Sequence, residues 1–247
     1  MIRSILQWSS LSLLALAACS SEEPGVSVNI GLVHQASAGS QTGMPRTVTG
    51  PNGDIMLTRA WVTVGAVEIF ACPATAWRRA LELLSPIGVA HAHTEGSPTK
   101  IGVPHVDDLA HADSQVIDAG TLKPPADSYC EATVTLDPAD DDAEGLPSPD
   151  MSGYTVWVEG TATPAGGGAA QAFVLQSEAD IDQRVPFVSN TGSSSPVVLK
   201  EPGAARSARV VLAYDQWFTG VDPLRDGAAD ALVQAIADTL RVQVQSP

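Results

Sequence analysis

The stretch DIMLTRAWVTVGAVEIFAC, residues 54–72, decides the fold class of this chain. Apolar residues alternate in it with polar or small ones, and many of them are β-branched or aromatic, which is typical of a strand with one buried face. The pattern predicts one long strand, or two strands that separate near Gly65. The residues that carry the alternation are Ile55, Leu57, Trp61, Thr63, Val67 and Ile69.

The same period of two recurs along most of the chain. Gly-, Pro- and Ser-rich connections, such as PAGGGAAQ at residues 164–171, separate the alternating segments and are typical of turns. Many short strands joined by such turns predict an all-β fold, an antiparallel β-sandwich that forms a single domain over residues 26–247. The further strand segments are residues 26–33, 129–137, 154–163, 172–177, 195–200 and 207–218.

Two segments have a helical period instead. In PATAWRRALELL, residues 73–84, Trp77, Leu81 and Leu84 share one face, which predicts a short helix inserted between strands. Residues 227–240, GAADALVQAIADTL, carry an apolar stripe that predicts a C-terminal helix packed on the edge or the end of the sheet. From Ser85 to Lys123 the periodicity fades, and we expect a long loop there.

The first residues predict the cell compartment. Arg3 precedes the apolar run LSLLALAA, and Leu16-Ala17-Ala18-Cys19 matches the bacterial lipobox, in which cleavage leaves the cysteine to be acylated. We therefore expect residues 1–18 to be a lipoprotein signal peptide and residues 19–25 a lipidated tether, with Cys19 anchored in the membrane. Because Ser20 follows the cysteine instead of aspartate, we expect the outer membrane, on its periplasmic side or at the cell surface.

Export from the cytoplasm would place the two remaining cysteines, Cys72 and Cys130, in an oxidising compartment. Disulfides persist in oxidising compartments, so we expect these two residues to form a disulfide. The alternative is a pair of separate buried thiols, because sequence spacing does not show whether two Cα atoms lie within bridging distance.

Composition excludes some functions. The chain has a net charge of −15 and only three lysines, which excludes nucleic-acid binding through phosphate neutralisation. A cation or a basic partner suits such a charge. The common enzyme motifs are absent from the sequence, among them the G-x-S-x-G elbow, the phosphate-binding glycine loop and the H-E-x-x-H helix. We therefore expect no catalytic activity.

Four of the five histidines lie within residues 88–111. His91 and His93 flank one alanine, and in an extended chain such a pair projects to one side, where two imidazoles can chelate one ion. His105 and His111 could complete the shell, and neutral imidazoles favour copper or zinc over calcium or magnesium. Oxygen ligands, or partners that orient the rings, could come from Glu95, Asp107 and Asp108. The alternative is a solvated loop rich in alanine and histidine.

Other polar and aromatic residues are expected to be structural. His34 stands alone after the first strand and is interpreted as structural. The run DPADDDAEGLPSPD, residues 137–150, lacks the order of a calcium loop and is interpreted as a solvated turn. We expect packing roles for Trp61, Trp77, Trp157 and Trp217.

The segment PDMSGYTVWVEG resembles the MbnP-like family, which comprises methanobactin-associated periplasmic β-sandwich proteins that bind copper. The residues that carry the resemblance are Met151, Gly153, Tyr154, Glu159 and Gly160, and the segments LTRAWVTVGAVEIF and ARVVLAYDQWFTGVD are similar to further strands of that family. The resemblance implies the fold, the envelope location and metal binding. The family's tryptophans before the Gly-Tyr turn have no counterpart in EGLPSPDMSG, so no copper ligand is carried over from it.

These observations lead to two hypotheses. The first is a non-catalytic, lipid-anchored protein of the cell envelope that binds copper, or less favourably zinc, through His91, His93 and either His105 or His111. The second is a structural or interaction lipoprotein that contacts an envelope protein or a polysaccharide and has no metal site.

Overall fold

The structure is a computed structural model that describes residues 25–37, 39–73, 97–147 and 151–245. Its strands in these ranges are β1 (Ser27–His34), β2 (Arg46–Gly50), β3 (Gly53–Val64), β4 (Ala66–Ala71), β5 (Lys100–Ile101), β6 (His105–Asp108), β7 (Ile117–Leu122), β8 (Ser128–Leu136), β9 (Val156–Pro164), β10 (Gln171–Ser177), β11 (Ile181–Val188), β12 (Val197–Val198), β13 (Ala205–Leu212) and β14 (Arg241–Val244). A 3₁₀ helix spans Tyr214–Gln216, and the helix α1 spans Ala228–Thr239.

The strands form two sheets. The large sheet has the order β5-β4-β8-β11-β14-β13-β1-β7, with β12 paired to β8, and the small sheet has the order β10-β9-β3-β2, with β6 paired to β3. Most neighbours are antiparallel, but β1 pairs with β13 and β11 with β14 in parallel. Parallel neighbours need a crossover connection, and α1 lies on the crossover that leads into β14. The expected all-β sandwich with a C-terminal helix is confirmed.

The large sheet curls until its two edge strands approach each other. The backbone N–H of Lys123, just after β7, donates to the carbonyl of Pro98, just before β5, over 3.1 Å. A Cβ added at Gly120 would lie 3.5 Å from the side chain of Ile101. This curvature makes the large sheet barrel-like.

The segment that decides the fold class crosses from one sheet to the other at Gly65. β3 belongs to the small sheet and β4 to the large one, so the alternative of two strands is confirmed. A Cβ at Gly65 would lie 1.5 Å from Oδ1 of Asp137, so any larger residue at this crossing requires the Asp137 carboxylate to move. Apolar residues on the facing sides of both sheets, such as Val62 and Val134, form the core and are fully buried.

Helix α1 packs against β10 and β11, as its apolar stripe predicts. The side chains it buries are Ala228, Leu232, Val233, Ile236 and Ala237. Among the described residues, no helix has the length and the hydropathy needed to span a membrane.

The prediction of an irregular loop from Ser85 to Lys123 is wrong for its described part, because β5, β6 and β7 lie there. These strands have only two, four and six residues, so the alternation is too short to stand out in the sequence. Residues 74–96, which hold most of the predicted inserted helix and the start of the predicted loop, lie outside the described residues.

Candidate functional site

A buried polar cluster joins the two sheets at one end of the sandwich. It contains the last residue of β1, His34, and the first residue of β2, Arg46. Asp107 comes from β6, Asp113 from the connection after it, and Tyr214 from the 3₁₀ helix. His34, Arg46, Asp107 and Tyr214 are fully buried, and the side chain of Asp113 is 2% exposed. Ionisable groups are rarely buried unless they are paired, so the pairing of these groups decides what the cluster can do.

His34 is held from both sides of its ring. Nδ1 lies 2.9 Å from Oδ2 and 3.1 Å from Oδ1 of Asp107, and Nε2 lies 3.1 Å from the carbonyl oxygen of His111. Burial by itself lowers the pKa of the imidazole, but the hydrogen bond and the negative charge of Asp107 outweigh burial and raise the pKa above its ordinary value. Asp107 and the His111 carbonyl are acceptors and favour an imidazolium, whereas Nη2 of Arg46, 3.2 Å from Nε2, favours a neutral ring.

Arg46 is the second cation of the cluster. Its Nε donates to the carbonyl of Leu109 over 2.8 Å, its Nη2 donates to the carbonyl of His111 over 2.5 Å, and its Nη1 pairs with Asp113. The guanidinium carbon lies 4.7 Å from the centroid of the Tyr214 ring. These contacts fasten the connection between β6 and β7 onto the small sheet.

The carboxylate of Asp113 accepts hydrogen bonds from three groups. The backbone N–H of Gln41 donates to it over 2.9 Å, the Tyr214 hydroxyl donates over 2.9 Å, and Arg46 supplies the third contact. Burial opposes ionisation, but these donors outweigh it and lower the pKa of the carboxyl. With His34 protonated, two carboxylates balance two cations, so the cluster is neutral and its polar atoms have partners within it. Loss of one partner would leave a buried charge unpaired, so the cluster has a structural role, and it leaves no nitrogen of His34 open for a metal or a substrate.

The sequence indicated part of this cluster. The sequence predicts a structural role for His34 and offers Asp107 as a partner that orients an imidazole; among the described histidines, the ring that Asp107 orients is that of His34. Arg46 and Asp113 lie in irregular connections or next to them, where the sequence carries no periodic signal, and Tyr214 follows a strand without a recognisable motif. These three residues were therefore missed.

His105, a predicted metal ligand, begins β6 and is 5% exposed. Its Nδ1 donates to the carbonyl of Val103 over 2.9 Å, and its Nε2 lies 3.1 Å from Oε2 of Glu144. Backbone hydrogen bonds hold the two residues together, because Val106 donates to the Glu144 carbonyl over 2.9 Å and Glu144 donates to Pro104 over 2.8 Å. The Glu144 side chain is 66% exposed, so Nε2 faces the rim of the protein and not its core.

The other predicted ligands are in different surroundings. His111 is exposed, and its backbone carbonyl is the acceptor shared by His34 and Arg46. His91, His93 and Glu95 lie outside the described residues. Within the described part of the chain, no group of three or more His, Cys, Asp or Glu residues could hold a metal ion. The structure thus does not bring His105 and His111 into one metal-binding group.

The predicted disulfide is present. Cys72, just after β4, is bonded to Cys130 in the neighbouring β8, with the Cα atoms 4.7 Å apart. It closes a loop between residues 58 positions apart, and this loop contains the histidine-rich stretch. Cys19 and the lipobox lie outside the described residues.

Acidic side chains gather at the end of β8. Asp137 places Oδ1 against Gly65, where this atom is buried without a hydrogen-bond partner among the described residues. Burial, followed by repulsion from Asp180, Asp140 and Asp182, raises the pKa of Asp137 to about 6. The residues that follow, Asp140, Asp141 and Asp142, are exposed, in keeping with their interpretation as a solvated turn.

Two of the tryptophans form a small aromatic cluster on the outer face of the small sheet. The rings of Trp61 and Trp157 meet edge to face with their centroids 5.7 Å apart, and Tyr154 lies 5.5 Å from Trp157 in the same manner. Met151, fully buried, packs in the same cluster. Trp217 is fully buried in the main core, and Trp77 lies outside the described residues. Packing therefore accounts for Trp61 and Trp217, as predicted.

Comparisons of the chain with protein-family models, with curated proteins and with solved structures find no match. The resemblance of residues 149–160 to the MbnP-like family therefore stays a prediction.

Proposed function

We propose that this protein is a lipid-anchored, non-catalytic protein of the cell envelope that holds one transition-metal ion, with copper favoured over zinc. The ligands are His91, His93 and His105. The observation that carries the proposal is the geometry of His105, whose ring is fixed through Nδ1 while Nε2 faces an exposed carboxylate.

Metal-binding histidines nearly always donate their second ring N–H to a carbonyl or a carboxylate, which fixes the tautomer and the orientation of the ring. The hydrogen bond from Nδ1 of His105 to Val103 has this form. In the structure Nε2 is paired with Oε2 of Glu144 at 3.1 Å, so a cation that replaced this direct contact would meet an imidazole nitrogen and a carboxylate oxygen together. Because β6 already orders the ring, binding a metal there costs little conformational entropy.

His105 is a better third ligand than His111. The His111 ring is exposed and lies on a turn, whereas the His105 ring is 94% buried and is held in one orientation. We therefore assign His105 to the shell with the chelating pair His91 and His93, and we assign His111 no ligand role.

Two features support the location in the envelope. The disulfide between Cys72 and Cys130 suits an oxidising compartment. The lipobox that ends at Cys19 predicts acylation there. We therefore assign the membrane as a partner of the protein, through acylated Cys19.

The test is a titration of the mature domain, without Cys19, against Cu(II) and Zn(II). We expect one-to-one binding, which His105→Ala weakens and the double variant His91→Ala/His93→Ala abolishes. His111→Ala is the matched control and should bind as the wild type does. Equal binding by the wild type and the His105→Ala variant would remove His105 from the shell, and absence of binding by the wild type would overturn the proposal.

A second candidate function, an interaction lipoprotein, is favoured by one observation. Val174 in β10 and Met56 in β3 are 59% and 40% exposed on the outer face of the small sheet. Contiguous exposed apolar patches mark sites of protein interaction, and this candidate function requires both side chains to belong to one. If the titration shows no metal binding, capture of an envelope protein by the wild type but not by Val174→Ser/Met56→Ser would favour this function.

A further inference from the structure

The strands of the large sheet give the molecule two distinct ends. At the first end, which we call the tether end, β1 begins at Ser27 beside Ala205, and Val28 lies opposite Leu122, the last residue of β7. At the opposite end, which we call the acidic end, β8 finishes at Leu136 beside Ile181, the first residue of β11. β11 and β8 are antiparallel, and Pro186, near the end of β11, lies opposite Glu131, near the start of β8. β8 therefore starts at the tether end and finishes at the acidic end.

The point where the chain enters the fold limits the position of the membrane. Gly25, the first described residue, is six residues after Cys19, and an extended chain of that length spans at most about 20 Å. β8 alone has nine residues, which corresponds to about 30 Å along the sheet. A tether of about 20 Å therefore cannot reach from the tether end past the acidic end to a membrane beyond it.

The charges at the two ends also favour the tether end as the end nearer to the membrane. Lys123 and Lys200 follow β7 and β12 at the tether end, and both are exposed. Asp127 and Glu201 lie near them, and the tether itself contains Glu22 and Glu23, so this end carries charges of both signs. The acidic end is net negative, although Lys100 lies near Asp137 there, and the carboxylates that gather at it are Asp137, Asp140, Asp141, Asp142, Asp180 and Asp182. Anionic headgroups repel such a surface far more than the tether end.

We propose that the tether end is a docking surface for the lipid headgroups of the membrane, so that the acidic end and the His105–Glu144 pair face away from the bilayer. His105 lies opposite Val64, next to the crossing at Gly65, where β4 begins beside Thr135 near the end of β8. The proposal thus presents the rim of the predicted metal site to the aqueous phase. It rests on the proposed lipid anchor at Cys19.

The test uses the full lipidated protein in vesicles of phosphatidylethanolamine and phosphatidylglycerol that carry a quencher on the headgroup. A single surface cysteine is introduced for a fluorophore, as Ala126→Cys at the tether end or as Asp142→Cys at the acidic end. Both native positions are exposed, so both variants are expected to fold, and both lysines of the tether end are kept. We expect quenching of the probe at residue 126 to exceed that of the probe at residue 142 several-fold.

Mass spectrometry of the same samples reports whether Cys19 is acylated. It therefore distinguishes failure of the lipid anchor from failure of the proposed orientation. Acylated protein in which both probes are quenched equally, or the residue 142 probe more, would overturn the orientation and leave the anchor intact. Absence of acylation would overturn the anchor and the orientation together. Lys123→Gln/Lys200→Gln should reduce the quenching of a probe placed by Ser128→Cys in anionic vesicles but not in phosphatidylcholine vesicles, because the lysines act through headgroup charge.

Discussion

Replacing Asp137 by asparagine should stabilise this protein at neutral pH. The carboxylate of Asp137 is partly buried against Gly65, its Oδ1 has no hydrogen-bond partner among the described residues, and Asp180, Asp140 and Asp182 repel it. Asparagine has nearly the same shape and removes the charge. The variant therefore relieves the repulsion without creating a cavity.

The magnitude follows from the pKa. Burial and repulsion raise the pKa of Asp137 from 3.8 to about 6, and each unit of difference corresponds to about 1.4 kcal/mol. The full difference would be about 3 kcal/mol, but the group is not fully buried and solvent screens its charge, so we expect about 1 to 2 kcal/mol.

The pH dependence of this stabilisation follows from the direction of the pKa difference. Because the pKa of Asp137 is higher in the folded than in the unfolded state, the folded state binds the proton more tightly. The destabilisation is absent below the unfolded value of 3.8, grows between 3.8 and about 6, and is complete above that range. The variant should thus match the wild type in acid and exceed it at neutral pH.

The assay is urea unfolding of the mature domain at about pH 4 and at about pH 7, analysed by linear extrapolation. Asp226→Asn is the matched control, since Asp226 is exposed and should change stability little at either pH. A variant at position 137 that is no more stable than the wild type at neutral pH, or that is equally stabilised at both pH values, would refute the reasoning.

Three further predictions concern the groups that hold the sandwich together. Arg46→Met should lower the free energy of unfolding by about 3 to 5 kcal/mol, because it leaves Asp113 buried without its cation. Urea unfolding measures this difference, and a loss below about 1 kcal/mol would show that the pair contributes little. His34→Gln should destabilise most below pH 6.5, and the difference from the wild type should shrink as the pH rises through the raised pKa of His34, which unfolding at several pH values measures. A difference that does not change with pH would show that folding leaves the pKa of His34 unchanged. Replacing Cys72 and Cys130 by alanine should cost about 2 to 5 kcal/mol and lower the thermal midpoint, and an unchanged midpoint would contradict a stabilising role for the disulfide.

The fold could be predicted because alternation is strong where strands are long. β8, with nine residues, buries one face along most of its length, and the apolar stripe of α1 repeats over three turns. β3, with twelve residues, alternates in its first half and is buried on both faces from Ala60 to Val64. The strands β5 and β6 have two and four residues, and pairing with partners far along the chain creates them. Such strands are set by tertiary contacts and leave no local signal.

The candidate site was predictable only in part, for a similar reason. The clustering of histidines indicated His105, but the sequence carries no sign that Glu144 pairs with it, because β6 and residue 144 meet through a single backbone bridge. The buried cluster around His34 draws its members from β1, β2, β6, the connection after β6 and the 3₁₀ helix, most of which are far apart in the chain. Its charges balance only once the two sheets have packed.

The most direct test of the account is the electron paramagnetic resonance spectrum of the mature domain with one equivalent of Cu(II). If His105 is a ligand with His91 and His93, the spectrum should show coupling to imidazole nitrogens, which His105→Ala reduces and His111→Ala leaves unchanged. A spectrum of unbound Cu(II), or one that both variants leave unchanged, would contradict metal binding at His105.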